Sequence, residues 1–267
     1  MKRTLKMAGL AAMAAVIFTG CAKQDTVKVN ADGLSASEVQ MIKSAGLNPT
    51  GASKHAEGYL IEGDLLLSAE ALNSLSSNNG PELIVANSEQ YRTTNLVTGL
   101  PRTLRVNYTG STASISTAIN NAIARYNALP TSYRCRFVRV TTSPYNITVS
   151  NVSGVSYIAS AGFPSRGNPF NSIKFNTTYA SWNANTLTSV LAHEIGHCIG
   201  FRHTDYMNRA YSCGGTATNE GTAGVGAVLI PGTPSGPDPN SWMLACIGNG
   251  VNRPFNANDI KALDYLY

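Results

Sequence analysis

An α+β fold, with short strands first and a deeply buried helix after them, is what this 267-residue sequence predicts. Three observations carry the prediction. Thr103-Leu104-Arg105-Val106-Asn107-Tyr108 alternates like a half-buried strand. Residues 112–129 set Ile115, Ala118, Ile119, Ala122, Ile123 and Tyr126 at the spacing of one helix face. A second helix, capped by Asn183 or Asn185 and running to Cys198, has Leu187, Leu191, Ile195 and Ile199 as its apolar face. Between the two helices, 136–142, 145–152, 155–161 and 172–179 read as strands, the first pair broken at Ser143-Pro144. A last helix over 256–266 turns Ile260, Leu263 and Leu266 inward.

The chain ahead of this domain divides in two. Lys2, Arg3 and Lys6 precede an apolar run over 7–18, the pattern of an export signal too short for a lasting membrane span. Phe18-Thr19-Gly20-Cys21 resembles a bacterial lipobox with Phe18 in place of the usual aliphatic residue, which would make Cys21 the lipidated N-terminus. The protein is therefore expected to be exported, anchored at the outer membrane by lipid and facing the periplasm or the outside; the alternative is plain secretion. The three basic residues of 1–20 account for part of the formal net charge of +5, leaving +2, which does not suggest nucleic-acid binding. Residues 22–90 carry four basic and nine acidic residues, and 91–267 thirteen and six, so the two stretches attract. In 22–90 one helix is expected near 35–45, from a Ser35 cap with Glu38 three residues on. Its apolar content is too thin for a strong core of its own. His55 reads as a surface residue.

Chemistry concentrates in His193-Glu194-Ile195-Gly196-His197-Cys198-Ile199-Gly200-Phe201-Arg202-His203, which holds three of the four histidines. Residues i and i+4 share a helix face, so His193 and His197 can bind one metal ion. Glu194 lies about 100° around the helix, within reach of water on the metal but poorly placed to ligate. Gly200 can take positive φ, end the helix and bring His203 back as third ligand. Three protein ligands leave a coordination position for water, the mark of a catalytic zinc site. Zinc would lower the pKa of that water towards ~7, and Glu194 would take its proton as it attacks a carbonyl.

His-Glu-x-x-His-x-x-Gly-x-x-His is the signature of the metzincin endopeptidases, and His193-Glu194-Ile195-Gly196-His197 with His203-Thr204-Asp205 resembles their bacterial dual-action HEIGH branch. The resemblance covers residues 91–267. It implies a twisted mixed sheet, an active-site helix and an irregular C-terminal subdomain. Ser241-Trp242-Met243-Leu244-Ala245 resembles the family's methionine turn, which would set the Met243 thioether beneath the ligands. Strand 155–161 would edge the cleft and pair antiparallel with an extended substrate. The run 214–239, with 225–230 as its apolar part, would wall the pocket for the residue after the scissile bond. Tyr59-Leu60-Ile61-Glu62-Gly63-Asp64 is similar to the latency motif of astacin propeptides, with Ile61 in place of phenylalanine, and Asp64 would then block the open zinc position. Residues 22–90 would be a propeptide. Two departures stand out. Ala245 occupies the position where astacins have an oxyanion-binding tyrosine, a role for which Tyr206 is a substitute candidate. Thr204 follows the third histidine, with Asp205 next as a turn-stabilising or solvated acid.

Cys135, Cys198, Cys213 and Cys246 suggest two disulfides with three pairings open, Cys198 joining Cys213 or Cys246. The reading is a zinc metalloendopeptidase acting on extended polypeptide, with one catalytic zinc and no sequence support for calcium; the oligomeric state is not legible. Its rivals are a catalytically silent surface-binding lipoprotein on the same scaffold, and a hydrolase of another polymer such as peptidoglycan.

Overall fold

The computed structural model describes residues 33–76, 90–222, 224–234 and 236–267. The expected export segment, with Cys21, lies outside them. The described chain begins with α1 (Ala36–Ser44), opened by a complete Ser35/Glu38 capping box. Strands β1 (Ser53–His55), β2 (Gly58–Ile61) and β3 (Leu65–Leu67) then form an antiparallel sheet in that order, followed by α2 (Ala69–Ser76). This is more structure than the single helix expected of the segment. Ile42, Leu47, Ile61, Leu65, Leu67, Leu72 and Leu75 form a small core, but Phe163 and Val225 of the following chain complete it. The segment is thus packed as a docked unit, and the ion pair Lys174–Glu57 at 2.9 Å adds to its contacts.

The remainder starts with β4 (Tyr91–Arg92) and continues through β5 (Arg102–Tyr108), α3 (Ala113–Asn127), β6 (Cys135–Arg139), β7 (Ile147–Val152), β8 (Ala159–Ser160) and β9 (Ser172–Asn176). These last strands form a mixed sheet in the order β6-β5-β7-β9-β8, parallel except for β8. The alternation that predicts β5 shows in Leu104 and Val106, both fully buried. All six predicted core residues of α3 are buried. Helix α4 (Ala184–Ile199), capped by Asn183 accepting from the Asn185 amide at 2.9 Å, packs against α3 and is buried along nearly its whole length. After it the chain is irregular, with α5 (Ala210–Cys213) and β10 (Val228–Leu229), which pairs with β4. The closing helix α6 (Ala257–Leu266) buries Leu263 fully and rests Ile260 and Leu266 on the main core. This is the α+β architecture expected: mixed sheet, buried helix, irregular half and terminal helix.

Two expectations need correction. The edge strand is two residues long, not seven. The Asn176 amide donates to the carbonyls of Val155 and Tyr157 at 2.9 and 3.0 Å, so a side chain takes up groups a longer strand would use for pairing. The cysteines make one disulfide among the described residues, Cys213–Cys246. Cys135 and Cys198 are free thiols in the main core. They have different neighbours: Tyr133 for Cys135 and the Gly162 backbone for Cys198.

Candidate metal centre

Helix α4 presents His193, Glu194 and His197 from one rigid element. Gly200 ends it with φ 111°, and a Cβ there would stand 2.7 Å from the Asn95 carbonyl, so the turn requires glycine. The chain reverses and returns His203 to the same point. Each imidazole is fixed through Nδ1: His193 by the Trp242 carbonyl at 2.9 Å, His197 by the Phe201 carbonyl at 2.9 Å, His203 by Glu220 Oε1 at 2.7 Å. Outer partners of this kind settle ring orientation and leave Nε2 as the free ligand atom. The three Nε2 atoms converge, with His197 and His203 only 3.2 Å apart.

Asp64 closes the group from the docked segment. Its Oδ2 is 2.9 Å from His203 Nε2, 3.5 Å from His193 and 4.0 Å from His197. One donor atom from each of the four residues lies within 4.8 Å of the others. Buried His193 Nε2 has no hydrogen-bond partner among the described residues, although it faces the centre of the cluster. Three neutral-capable imidazoles and one carboxylate around a common point, with an orphaned nitrogen aimed there, fit a divalent cation of borderline softness such as zinc.

Burial and charge act together on these groups. Burial and its two imidazole neighbours hold His197 well below its ordinary pKa. His203 is also buried, yet the carboxylates of Asp64 and Glu220 raise it well above the imidazole range. Burial opposes ionisation of Asp64 and Glu220, but His203 keeps Asp64 well below the usual carboxylate range and Glu220 at about 2. Glu194 goes the other way, pushed well up by burial and by the charge of Asp64. Its Oε2 is buried with no hydrogen-bond partner among the described residues.

Met243 packs against the ligand-bearing helix at Gly196. A Cβ on Gly196 would come 2.6 Å from the Met243 sulfur and 3.2 Å from Trp242 Nε1, so the glycine of the motif lets the turn press against the helix. The Thr204 amide donates to the Met243 carbonyl at 3.0 Å. Asp205 is buried, not solvated: it accepts from the Ala245 amide at 3.0 Å and the Ser212 hydroxyl at 2.6 Å, tying the turn to α5.

Sequence reasoning missed the partners of Arg202. This buried arginine bonds the Gly221 and Gly226 carbonyls at 3.0 and 3.2 Å and pairs with Glu62 at 3.2 Å and Glu220 at 3.4 Å. Glu62 stands at φ 54°, an uncommon conformation for a non-glycine residue, and its Oε1 accepts from the Asn48 amide at 3.1 Å. Burial raises its pKa to about 8. Arg202 lies inside the motif, and its burial is the one signal that acids would be needed nearby; nothing in the Gly-rich run marks Glu220.

A cavity of about 230 Å³ opens beside Glu194. Its wall includes Val190, Tyr157, Leu244, Ala245 and Ile247. Residues 225–230 are not in it, contrary to expectation: Val225 packs on the docked segment and Val228–Leu229 pairs with β4. Tyr206 also misses the site. Its ring lies 4.4 Å from that of Tyr91, beneath the Arg202 guanidinium, because the turn after His203 swings it away from the cavity.

The family model described as dual-action HEIGH metallo-peptidase matches residues 59–267. Among solved structures, a crystal structure of myroilysin is similar at 15% identity over 65% of this chain and 86% of that one, with a TM-score of 0.43. A second myroilysin structure gives 15% identity over 66% and 98%, with a TM-score of 0.47. No curated protein matches the sequence.

Proposed function

The chain belongs to the dual-action HEIGH metallo-peptidase family, and on that premise we propose that it is a zinc endopeptidase held latent by its own N-terminal segment. One observation carries the reading: the three Nε2 atoms and Asp64 Oδ2 converge beside Glu194, whose buried Oε2 has no partner among the described residues. His193, His197 and His203 would hold zinc, with Met243 packed beneath. The bound ion supplies Lewis acidity towards a peptide carbonyl and lowers the pKa of water towards ~7. Glu194 accepts the proton of the attacking water and delivers it to the leaving amine. The substrate is a peptide or protein chain.

Latency rests on Asp64 and on chain direction. Asp64 occupies the position a substrate carbonyl needs. Leu65 bridges Ala161 in the parallel sense, whereas a productive strand on this edge would run antiparallel. The segment therefore lies backwards across the cleft and is not itself positioned for cleavage. Its extent, 22–90, ahead of a catalytic region 91–267, belongs to the same proposal. So does export as a lipoprotein anchored through Cys21.

The test uses the full chain loaded with zinc and an unfolded protein as substrate. Asp64→Ala should hydrolyse it faster than the parent. Adding Glu194→Ala to that variant should cost at least ~10²-fold in rate at unchanged zinc content. Equal rates with and without Glu194 would sink the mechanism. Zinc-loaded protein that cleaves nothing would favour the silent binding protein.

A further inference from the structure

The wall of the cavity that holds His193 and Glu194 also includes Arg253, Ser189 and Cys246. Ser189 precedes His193 by one helical turn, roughly 6 Å along α4. The backbone of Arg253 is fixed on both sides: its amide donates to Ser189 Oγ at 2.9 Å, and its carbonyl accepts from Arg125 at 3.1 Å. Its guanidinium spends one nitrogen, Nη1, on the Cys246 carbonyl at 2.7 Å. Nε and Nη2 have no hydrogen bond among the described residues, and no carboxylate there lies within ion-pair distance. Burial lowers its pKa, opposed by the charge of Asp205. Arg209, the other arginine on the cavity wall, is already matched by Glu220 at 2.7 Å.

Direction fixes which substrate residue meets this cavity. The Ala161 amide pairs with Asp64, which sits at the metal centre, while Ser156–Ala159 edge the cavity. A substrate antiparallel to this edge passes the centre first and the 156–159 side afterwards. The part of the cavity lined by Val190, Leu244, Ile247 and Arg253 therefore lies where the residue following the scissile bond would go.

The geometry points to a subsite for an acidic side chain, aspartate or glutamate immediately after the scissile bond, with Arg253 as its specificity-determining partner. The assignment rests on the peptidase reading above. A partly desolvated guanidinium with unused donors gains most from a carboxylate, which can accept two of them at once. Apolar walls of Val190, Leu244 and Ile247 offer a neutral polar side chain little in return.

The experiment uses the zinc-loaded full chain carrying Asp64→Ala and a digest of unfolded proteins, with every cut site read by mass spectrometry. Matched peptides differing only in Glu, Gln, Leu or Lys after the scissile bond then give kcat/KM ratios. The Glu peptide should exceed the Gln peptide by at least about 10-fold. Arg253→Gln should bring the ratio near one, Arg253→Lys should retain part of it, and Arg253→Glu should turn preference towards the Lys peptide. A purely structural role would lower all four peptides together. Absence of acid preference in the Asp64→Ala chain overturns the proposal without any Arg253 variant having to fold. Preference that survives Arg253→Gln overturns it too. Failure to cut any peptide is a different result, which removes the peptidase reading itself.

Discussion

The two sides of the metal centre are built on different principles. His193 and His197 stand on α4, set in a core of regularly spaced apolar residues from α3, β5, β7 and β9. His203 stands in a stretch with almost no regular structure, where buried polar groups do the positioning: Glu220 on its Nδ1, Arg202 between two acids, and Asp205 bonding the turn after Met243. Asp259 adds to this set, accepting from Gln90 at 2.5 Å and from Ser241 at 3.0 Å. The helical side is held by burial, which is non-directional and tolerant. The irregular side is held by directional bonds whose loss leaves desolvated groups behind. One ion joining both sides would make the irregular half depend on the metal far more than the helical half does.

Zinc removal should therefore show the largest contrast. At zinc a thousandfold above its dissociation constant, chelation removes about 4 kcal/mol of stability. Hydrogen exchange should rise chiefly over residues 201–222 and 241–247, while β5 and β7 stay protected. Uniform acceleration would break the distinction. Replacing Cys213 and Cys246 by serine opens a link of sequence separation 33, which chain entropy puts at about 3–4 kcal/mol, read by denaturant unfolding. Thiol counting should accompany it: the denatured, unreduced parent should expose Cys135 and Cys198 but neither Cys213 nor Cys246. Asp205→Ala strands the Ala245 amide and should lower stability by about 2–3 kcal/mol. Gly196→Ala forces a methyl against the Met243 sulfur and should cost about 1–3 kcal/mol. Because it tilts the helix against the turn, it should also weaken zinc binding, which a competitive chelator titration reads.

The same contrast explains what the sequence made legible. Periodicity exposes apolar packing, so the core face of α3, the alternation of β5 and the reach of α4 could be read before any coordinates. The histidine spacing and Gly200 were legible because helix geometry alone dictates them. Strands of two to four residues, such as β1–β3 and β8, carry too few positions for a period to show. Glu220 lies 17 residues from the histidine it orients, in a run whose glycines mark turns but not partners. The pocket wall was misplaced for the same reason: loop residues 225–230 and 244–247 look alike in composition, and only the fold decides which meets α4. Asp64 was legible by resemblance, through its Gly-Asp context. Its neighbour Glu62, which pairs with Arg202, was not.

The most direct measurement is X-ray absorption at the zinc edge on the intact, zinc-loaded chain beside Asp64→Ala. The account predicts three imidazole nitrogens and one carboxylate oxygen in the intact chain, with a water oxygen replacing the carboxylate in the variant. Identical spectra for the two proteins would contradict it. So would a shell richer in carboxylate oxygen, as expected if the ion sat among Glu62, His203 and Glu220 instead.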